Sequence, residues 1–176
     1  MSAPVQYVPS IAIDTVIEAL GAFIQPFVGT TQIIRAQVNR VSLPPGTFVE
    51  LTEISSADLE VPRQWYDGVN SQLDFIGPKR IMIQADFYGE SSGDWCAAVK
   101  TVWRTAYATA QFPVGIAPLY CDDGHEIPLV TGEEQYLRRW ALSCSLQYNP
   151  IVIVPQQAAE TLKMNIVQAV DVEEIP

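Results

Sequence analysis

The residues with the most chemical capacity lie together at Cys121-Asp122-Asp123-Gly124-His125-Glu126. Thiol, carboxylate and imidazole are all metal-ligand types, and His125 is the only histidine in the chain. Their spacing matches no zinc-ligand pattern, and a catalytic zinc would draw on further histidines that the chain lacks. A Ser-His-Asp site would have to use the same histidine, and no GxSxG elbow accompanies it. Neither GxxxxGK[ST] nor GxGxxG occurs, so no glycine-rich loop is offered to a phosphate. The adjacent acids Asp122/Asp123 and Glu133/Glu134 sit in turn-like sequence, where carboxylates are ordinarily solvated. The stretch reads as a solvated turn. We expect no enzyme, no cofactor and no metal. The alternative from a different class is a small acidic metal-dependent enzyme built on His125 and Asp122/Asp123.

Charge narrows the partners. Lys and Arg number 10 against 20 Asp and Glu, for a net charge of −10 and a pI near 4.4. That balance argues against a general basic groove for nucleic acid, while an acidic surface can surround DNA without gripping it. In so acidic a chain the few arginines become candidates for contacts with acids of a neighbouring subunit. Arg35, Arg40, Arg138 and Arg139 are the interface candidates of this kind. Arg138 and Arg139 are adjacent on a strand, so they point to opposite faces. An ordinary surface charge and a subunit contact both stay open for them. Trp65-Tyr66, in a loop or edge strand, is the candidate aromatic anchor of an interface. Trp95, Trp103, Trp140 and Tyr148 read as core.

The elements that must position these residues are organised around Glu133 to Gln156. Trp140, Leu142, Cys144, Leu146 and Tyr148 alternate with Ala141, Ser143, Ser145, Gln147 and Asn149, which is the period of a half-buried strand. Asn149-Pro150 interrupts it, because proline cannot donate to a ladder, and Ile151 to Val154 is a second extended piece. Lys79 to Tyr88 is an equally clear strand with Ile81, Ile83, Ala85 and Phe87 on one face. Thr30 to Val41 and Thr47 to Ser55 also read as extended, joined by a turn at Leu43-Pro44-Pro45-Gly46. Arg63 to Val69 and Ser71 to Ile76 are expected to pair across Asp67-Gly68 and extend the sheet. Lys163 to Val172 reads as a last strand.

Two amphipathic helices are expected. Ile11 to Ile24 would be capped by Ser10 and ended by Pro26. Asp94 to Gln111 would bury Trp95, Val99, Val102, Ala106 and Ala110. Ile116 to Val130 reads as a connection broken by proline and glycine. A length of 176 residues with 48% hydrophobic and 17% charged side chains suits one domain with a sizeable core and an unusually uncharged surface. The expected fold is α+β: a mostly antiparallel twisted sheet of about five or six strands with two main helices on one face. A single domain over residues 1–176 would carry an arm at 1–9 and a tail at 173–176. Cys96, Cys121 and Cys144 form no CxxC and read as free thiols of a reducing compartment. No basic region precedes the first apolar stretch, so no signal peptide is expected. No run of about 18 apolar residues offers a membrane span.

Several runs, taken in order, carry a resemblance. They are LGAFIQPFVG (Leu20 to Gly29), QVNRVSLPPGTFVELTEI (Gln37 to Ile54), IQADFYG (Ile83 to Gly89), APLYCDD (Ala117 to Asp123), GEEQYLRRW (Gly132 to Trp140) and LQYNP (Leu146 to Pro150). Together the sequence resembles the tail terminator family of tailed-phage neck proteins. Matching positions include Asn39, Pro44, Pro45, Gly46, Tyr136, Arg139, Trp140, Gln147, Tyr148 and Asn149, which the resemblance assigns to fold or interface and to no reaction. It implies a virion structural protein assembled in the host cytoplasm. Such a protein forms a homo-oligomeric, hexameric ring at the head-proximal end of the tail and stops polymerisation of the tail tube protein. In a contractile tail it also meets the sheath protein. The resemblance further implies docking to the head-tail connector or adaptor, with DNA passing through the lumen. A head-completion or connector ring of the neck is the alternative within that class.

Overall fold

The computed structural model describes residues 7–36, 44–130 and 136–156. From the N-terminal side, α1 (Ile13–Val28) leads to β1 (Gln32–Arg35), β2 (Phe48–Asp58), β3 (Arg63–Asp67), β4 (Gln72–Ile76) and β5 (Lys79–Tyr88). Then come α2 (Ser92–Trp103), α3 (Ala106–Gln111), β6 (Ile116–Cys121), β7 (His125–Glu126), β8 (Leu129–Val130), β9 (Tyr136–Leu137), β10 (Arg139–Tyr148) and β11 (Ile151–Pro155).

The two strongest alternations in the sequence form the middle of a six-stranded sheet ordered β1-β2-β5-β10-β6, with β7 also paired to β10. β10 and β5 pair antiparallel without interruption from Arg139↔Tyr88 to Tyr148↔Lys79. Among the described strands only β1 and β2 run parallel, so the sheet is mixed and mostly antiparallel. Period-two geometry then sorts the side chains. Val49, Leu51, Ile81, Ile83, Ala85, Phe87, Leu142, Cys144 and Leu146 join one buried cluster with α1 and α2. Both main helices therefore cover the same face, as expected. Trp103 and Tyr148 are buried in this cluster, with Trp95 and Trp140 packed against its margin. Trp103, Phe23 and Phe112 meet at ring centroids 5.2 to 5.9 Å apart.

A second sheet, ordered β11-β4-β3, continues the three central strands beyond a break. One proline interrupts each strand at the same level: Pro62 between β2 and β3, Pro78 between β4 and β5, and Pro150 between β10 and β11. The backbones still touch there, through Leu59 N–H to Pro78 O at 3.0 Å and Gly77 N–H to Pro150 O at 3.3 Å. Proline cannot donate to a ladder, so the ribbon divides at that level. The expected hairpin is present, but it forms this separate sheet with β11 rather than widening the main one. Asp67 organises its turn by accepting from the N–H groups of Val69 and Asn70 at 2.9 and 3.3 Å.

Other expectations need correction. Pro26 lies inside α1. In the last turn it loses one backbone bond and leaves the preceding turns intact. Gln25 Nε2 then serves the exit by donating to the carbonyls of Gly29 and Thr31 at 2.6 and 3.1 Å. Ser10 is not the cap. The helix starts after Ala12 with no side-chain cap, and Ser10 instead straps β11: its N–H donates to Ile151 O and its Oγ accepts from Ile151 N–H, both at 2.9 Å. The second helix is two helices. Thr105 Oγ1 donates to Val102 O at 2.7 Å and accepts from Ala108 N–H at 3.4 Å, ending α2 and capping α3. The buried stripe is consequently Cys96, Val99, Trp103 and Ala108, while Tyr107 is exposed. The stretch from Ile116 to Val130 holds three short strands rather than a bare connection. Arg40 and the strand expected at 163–172 lie outside the described residues.

Leu146 is fully buried between strands and helices, whereas Val61 is 84% exposed. Urea unfolding should find Leu146→Ala destabilised by about 2–5 kcal/mol through lost transfer and cavity terms. Val61→Ala should stay within about 0.5 kcal/mol of the parent. Equal effects would contradict this assignment of the core.

Candidate functional site

The face of the sheet opposite the helices carries a polar cluster. Cross-strand register places Phe48, Tyr88 and Arg139 in one row and Glu50, Asp86 and Ala141 in the next. Arg139 grips Asp86 with two hydrogen bonds, Nε to Oδ1 at 3.1 Å and Nη2 to Oδ2 at 2.9 Å. Gln84 Nε2 donates to both carboxylate oxygens at 3.1 and 2.9 Å. Asp86 is buried, so this fork satisfies a charge that would otherwise be costly to remove from water. The guanidinium also lies 5.6 Å from the Tyr88 ring centroid, a cation–π distance. On its far side Tyr88 stacks on Phe48 at 4.2 Å, and its hydroxyl donates to Glu50 at 3.2 Å.

Burial pushes the Tyr88 phenol up to about 12; Asp86 and Glu50 add to the rise and Arg139 opposes it. Hydrogen bonding to Asp86 raises Arg139 further above its usual value. The arrangement ties Arg139, Asp86 and Gln84 into one hydrogen-bonded group beside the Tyr88–Phe48 stack.

The other candidate arginines divide by location. Arg35 on β1 pairs with Asp14 of α1, both side chains largely exposed. Arg138 donates to Glu126 at 3.2 Å and to the carbonyl of Glu90 at 3.4 Å. Arg139 is the most enclosed of the three and is committed to its own chain. These intramolecular partners were not visible in the sequence. The useful sign was the acid in IQADFYG, which the β5–β10 register brings beside Arg139. Trp65 and Tyr66 sit on β3, 68% and 49% exposed.

The acidic turn offers little chemistry. His125 is exposed on a two-residue strand paired with Ala141, and Asp123 pairs with Lys100. Cys96, Cys121 and Cys144 are free thiols. Burial pushes Cys96 up to about 11 and Cys144 well above the usual range, which disfavours the nucleophilic thiolate. Among the described residues no group of three or more His, Cys, Asp or Glu is placed to hold a metal ion, and no helix is long and apolar enough to cross a membrane.

The fold is thus a helix-backed, mixed sheet with one enclosed ion pair, Arg139–Asp86, on its open face and two exposed aromatics on a side sheet. The family model described as "Phage neck terminator protein" matches residues 14–173, and the chain belongs to that family. Among solved structures, it is similar in fold to the sheath/tube terminator of the extracellular contractile injection system PVC, in its extended state. The TM-score is 0.52 at 10% identity, covering 94% of this chain and 66% of that one. The chain thus spans just under two thirds of that neighbour's length. None of the curated proteins compared with the chain matches it.

Two measurements test the polar cluster. Truncating one partner, as in Asp86→Ala, should cost about 3–5 kcal/mol, because a partly buried guanidinium loses its counter-charge. The paired change Asp86→Leu with Arg139→Met should recover most of that in urea unfolding, and a single-mutant cost below about 1 kcal/mol would contradict the cluster's role.

The alkaline limb gives the second test. An unfolded tyrosine ionises near 10, so the raised native value favours the neutral phenol. That stabilisation is complete below pH 10 and is lost as pH climbs through about 12. Ultraviolet titration should therefore find one late tyrosine, absent in Tyr88→Phe.

Proposed function

We propose that the chain forms a ring that terminates a phage tail at its head-proximal end. The observation that carries this reading is the family match across residues 14–173. The fold likeness to a sheath/tube terminator supports it. In this reading subunits close a homo-oligomeric, hexameric ring by heterologous contacts, in which one surface of each copy meets a different surface of the next. One ring face caps the end of the tail tube, and of the sheath where the tail is contractile. The opposite face joins the head connector, which places the protein in the neck of the virion after assembly in the host cytoplasm.

A net charge of −10 suits the lumen of such a ring. DNA must pass through without being held, and like charge lowers phosphate affinity. The work is geometric: the ring covers the last layer of tube subunits and removes the surface on which another layer would add. Rigid pairs such as Arg139–Asp86 fit that role, since a cap must keep its shape while many identical contacts form.

Polymerisation of the purified tail tube protein tests the reading. Followed by negative-stain electron microscopy, tubes grown with substoichiometric amounts of this chain should be markedly shorter and should stop lengthening. Tubes of unchanged length distribution would overturn the terminator function.

A further inference from the structure

A heterologous ring needs two complementary surfaces on one chain, set well apart. The described residues present one protrusion and one apolar groove. The protrusion is the β3–β4 hairpin. Four of the five β3 residues are exposed, and among the described residues β3 pairs only with β4, which leaves its outer edge without a strand partner there. Val61 precedes the hairpin and Val69 sits in its turn, at 84% and 93% exposure, with Trp65 and Tyr66 between them on β3. The concentration of exposed apolar side chains on one free edge marks an interaction surface.

The groove, of about 410 Å³, lies between α1 and β1. Ile17, Gly21, Ile33 and Leu51 line it, with Glu18 and Arg35 among its polar residues. Gly21 contributes no side chain to its floor; a Cβ there would make ordinary contact with Leu51 Cδ1 at 3.6 Å and Ile33 Cγ2 at 3.8 Å. β1 pairs only with β2, so among the described residues its other edge also has no strand partner. Groove and hairpin lie at opposite ends of the ribbon that runs from β2 into β3. Leu51 and Trp65 are separated by extended chain on the order of 40 Å long. That separation suits contact with a different copy.

Charge supplies the register. Arg63, Trp65 and Asp67 alternate with Gln64 and Tyr66, so Arg63 flanks Trp65 on one face of β3. Glu18 makes no ion pair among the described residues. Arg63 pairs with Glu60, the two side chains being 71% and 48% exposed, and such surface pairs exchange at little cost.

We propose, resting on the ring reading above, that β3 of one copy lies along the free edge of β1 in the next. Trp65 enters the α1–β1 groove and Arg63 meets Glu18. The partner is thus a second copy of this chain, joined by strand addition and anchored by one aromatic side chain.

Mass photometry tests this under the condition that gives the wild-type ring, alone or with tube protein. Trp65→Ala, Arg63→Glu and Glu18→Arg should each lower the ring population about tenfold or more, with circular dichroism unchanged because all three residues are exposed. Combining Arg63→Glu with Glu18→Arg should restore the ring. Trp65→Cys with Ala22→Cys should cross-link copies into oligomer ladders under oxidation. A wild-type ring that all variants form equally well overturns this contact and leaves the ring reading standing. So does a set of variants that keep the ring but lose tube binding, which would assign the hairpin to the tube. A double swap that stays dissociated overturns the Arg63–Glu18 register. A wild-type chain that is monomeric in both conditions overturns the ring reading and the contact together.

Discussion

The uninterrupted pairing of β5 with β10 is the constraint on which the rest of the structure depends. Ten consecutive residues on each strand face one another, from Arg139↔Tyr88 to Tyr148↔Lys79. Because side chains alternate, this one register decides both faces at once. It gives the helices an apolar floor of Ile81, Ile83, Ala85, Phe87, Leu142, Cys144 and Leu146. On the other face it brings Arg139 beside Asp86. A slip of one residue would turn the apolar row to the open side and part the ion pair, so packing and electrostatics enforce the same alignment.

Three prolines shape what lies beyond that ladder. Pro62, Pro78 and Pro150 fall at one level of the ribbon, one beside each central strand. They let the strands continue in a new small sheet instead of running on as one long, twisted one. The hairpin that carries Trp65 and Tyr66 is held by backbone pairing to β4 and β11, yet stands clear of the main core. Ser10 straps β11 from the N-terminal side, so the segment ahead of α1 helps hold the side sheet that displays those aromatics.

Legibility in the sequence followed the strength of local pattern. β5 was readable to the residue and β10 nearly so, because their alternation is unbroken. The hairpin was readable from its Asp-Gly turn between two short β-rich runs. Its place in a second sheet was not, since pairing with β11 is a contact between residues some eighty positions apart in the chain. Pro26 misled because its effect depends on helix position, and only the last turn tolerates it so easily. The Arg104–Thr105 break misled because Ala106 and Ala110 continue the spacing of Val99 and Val102 across a point where the backbone ends one helix and starts another. Pro118 and the Asp122-Asp123-Gly124 turn hid β6 and β7 in the same way. At the site, residue types flagged Arg139 as a residue seeking an acid, but only the fold reveals that Asp86 of the same chain supplies it. Trp65 and Tyr66, the candidate interface anchor, are exposed on β3.

The central claim is positional: this chain sits at one end of a tail tube. Gold labelling of a tagged chain on assembled tails, viewed by electron microscopy, tests it most directly. The account predicts label at the head-proximal end alone, one cluster per tail. Label spread along the tube, or confined to the distal end, would contradict it.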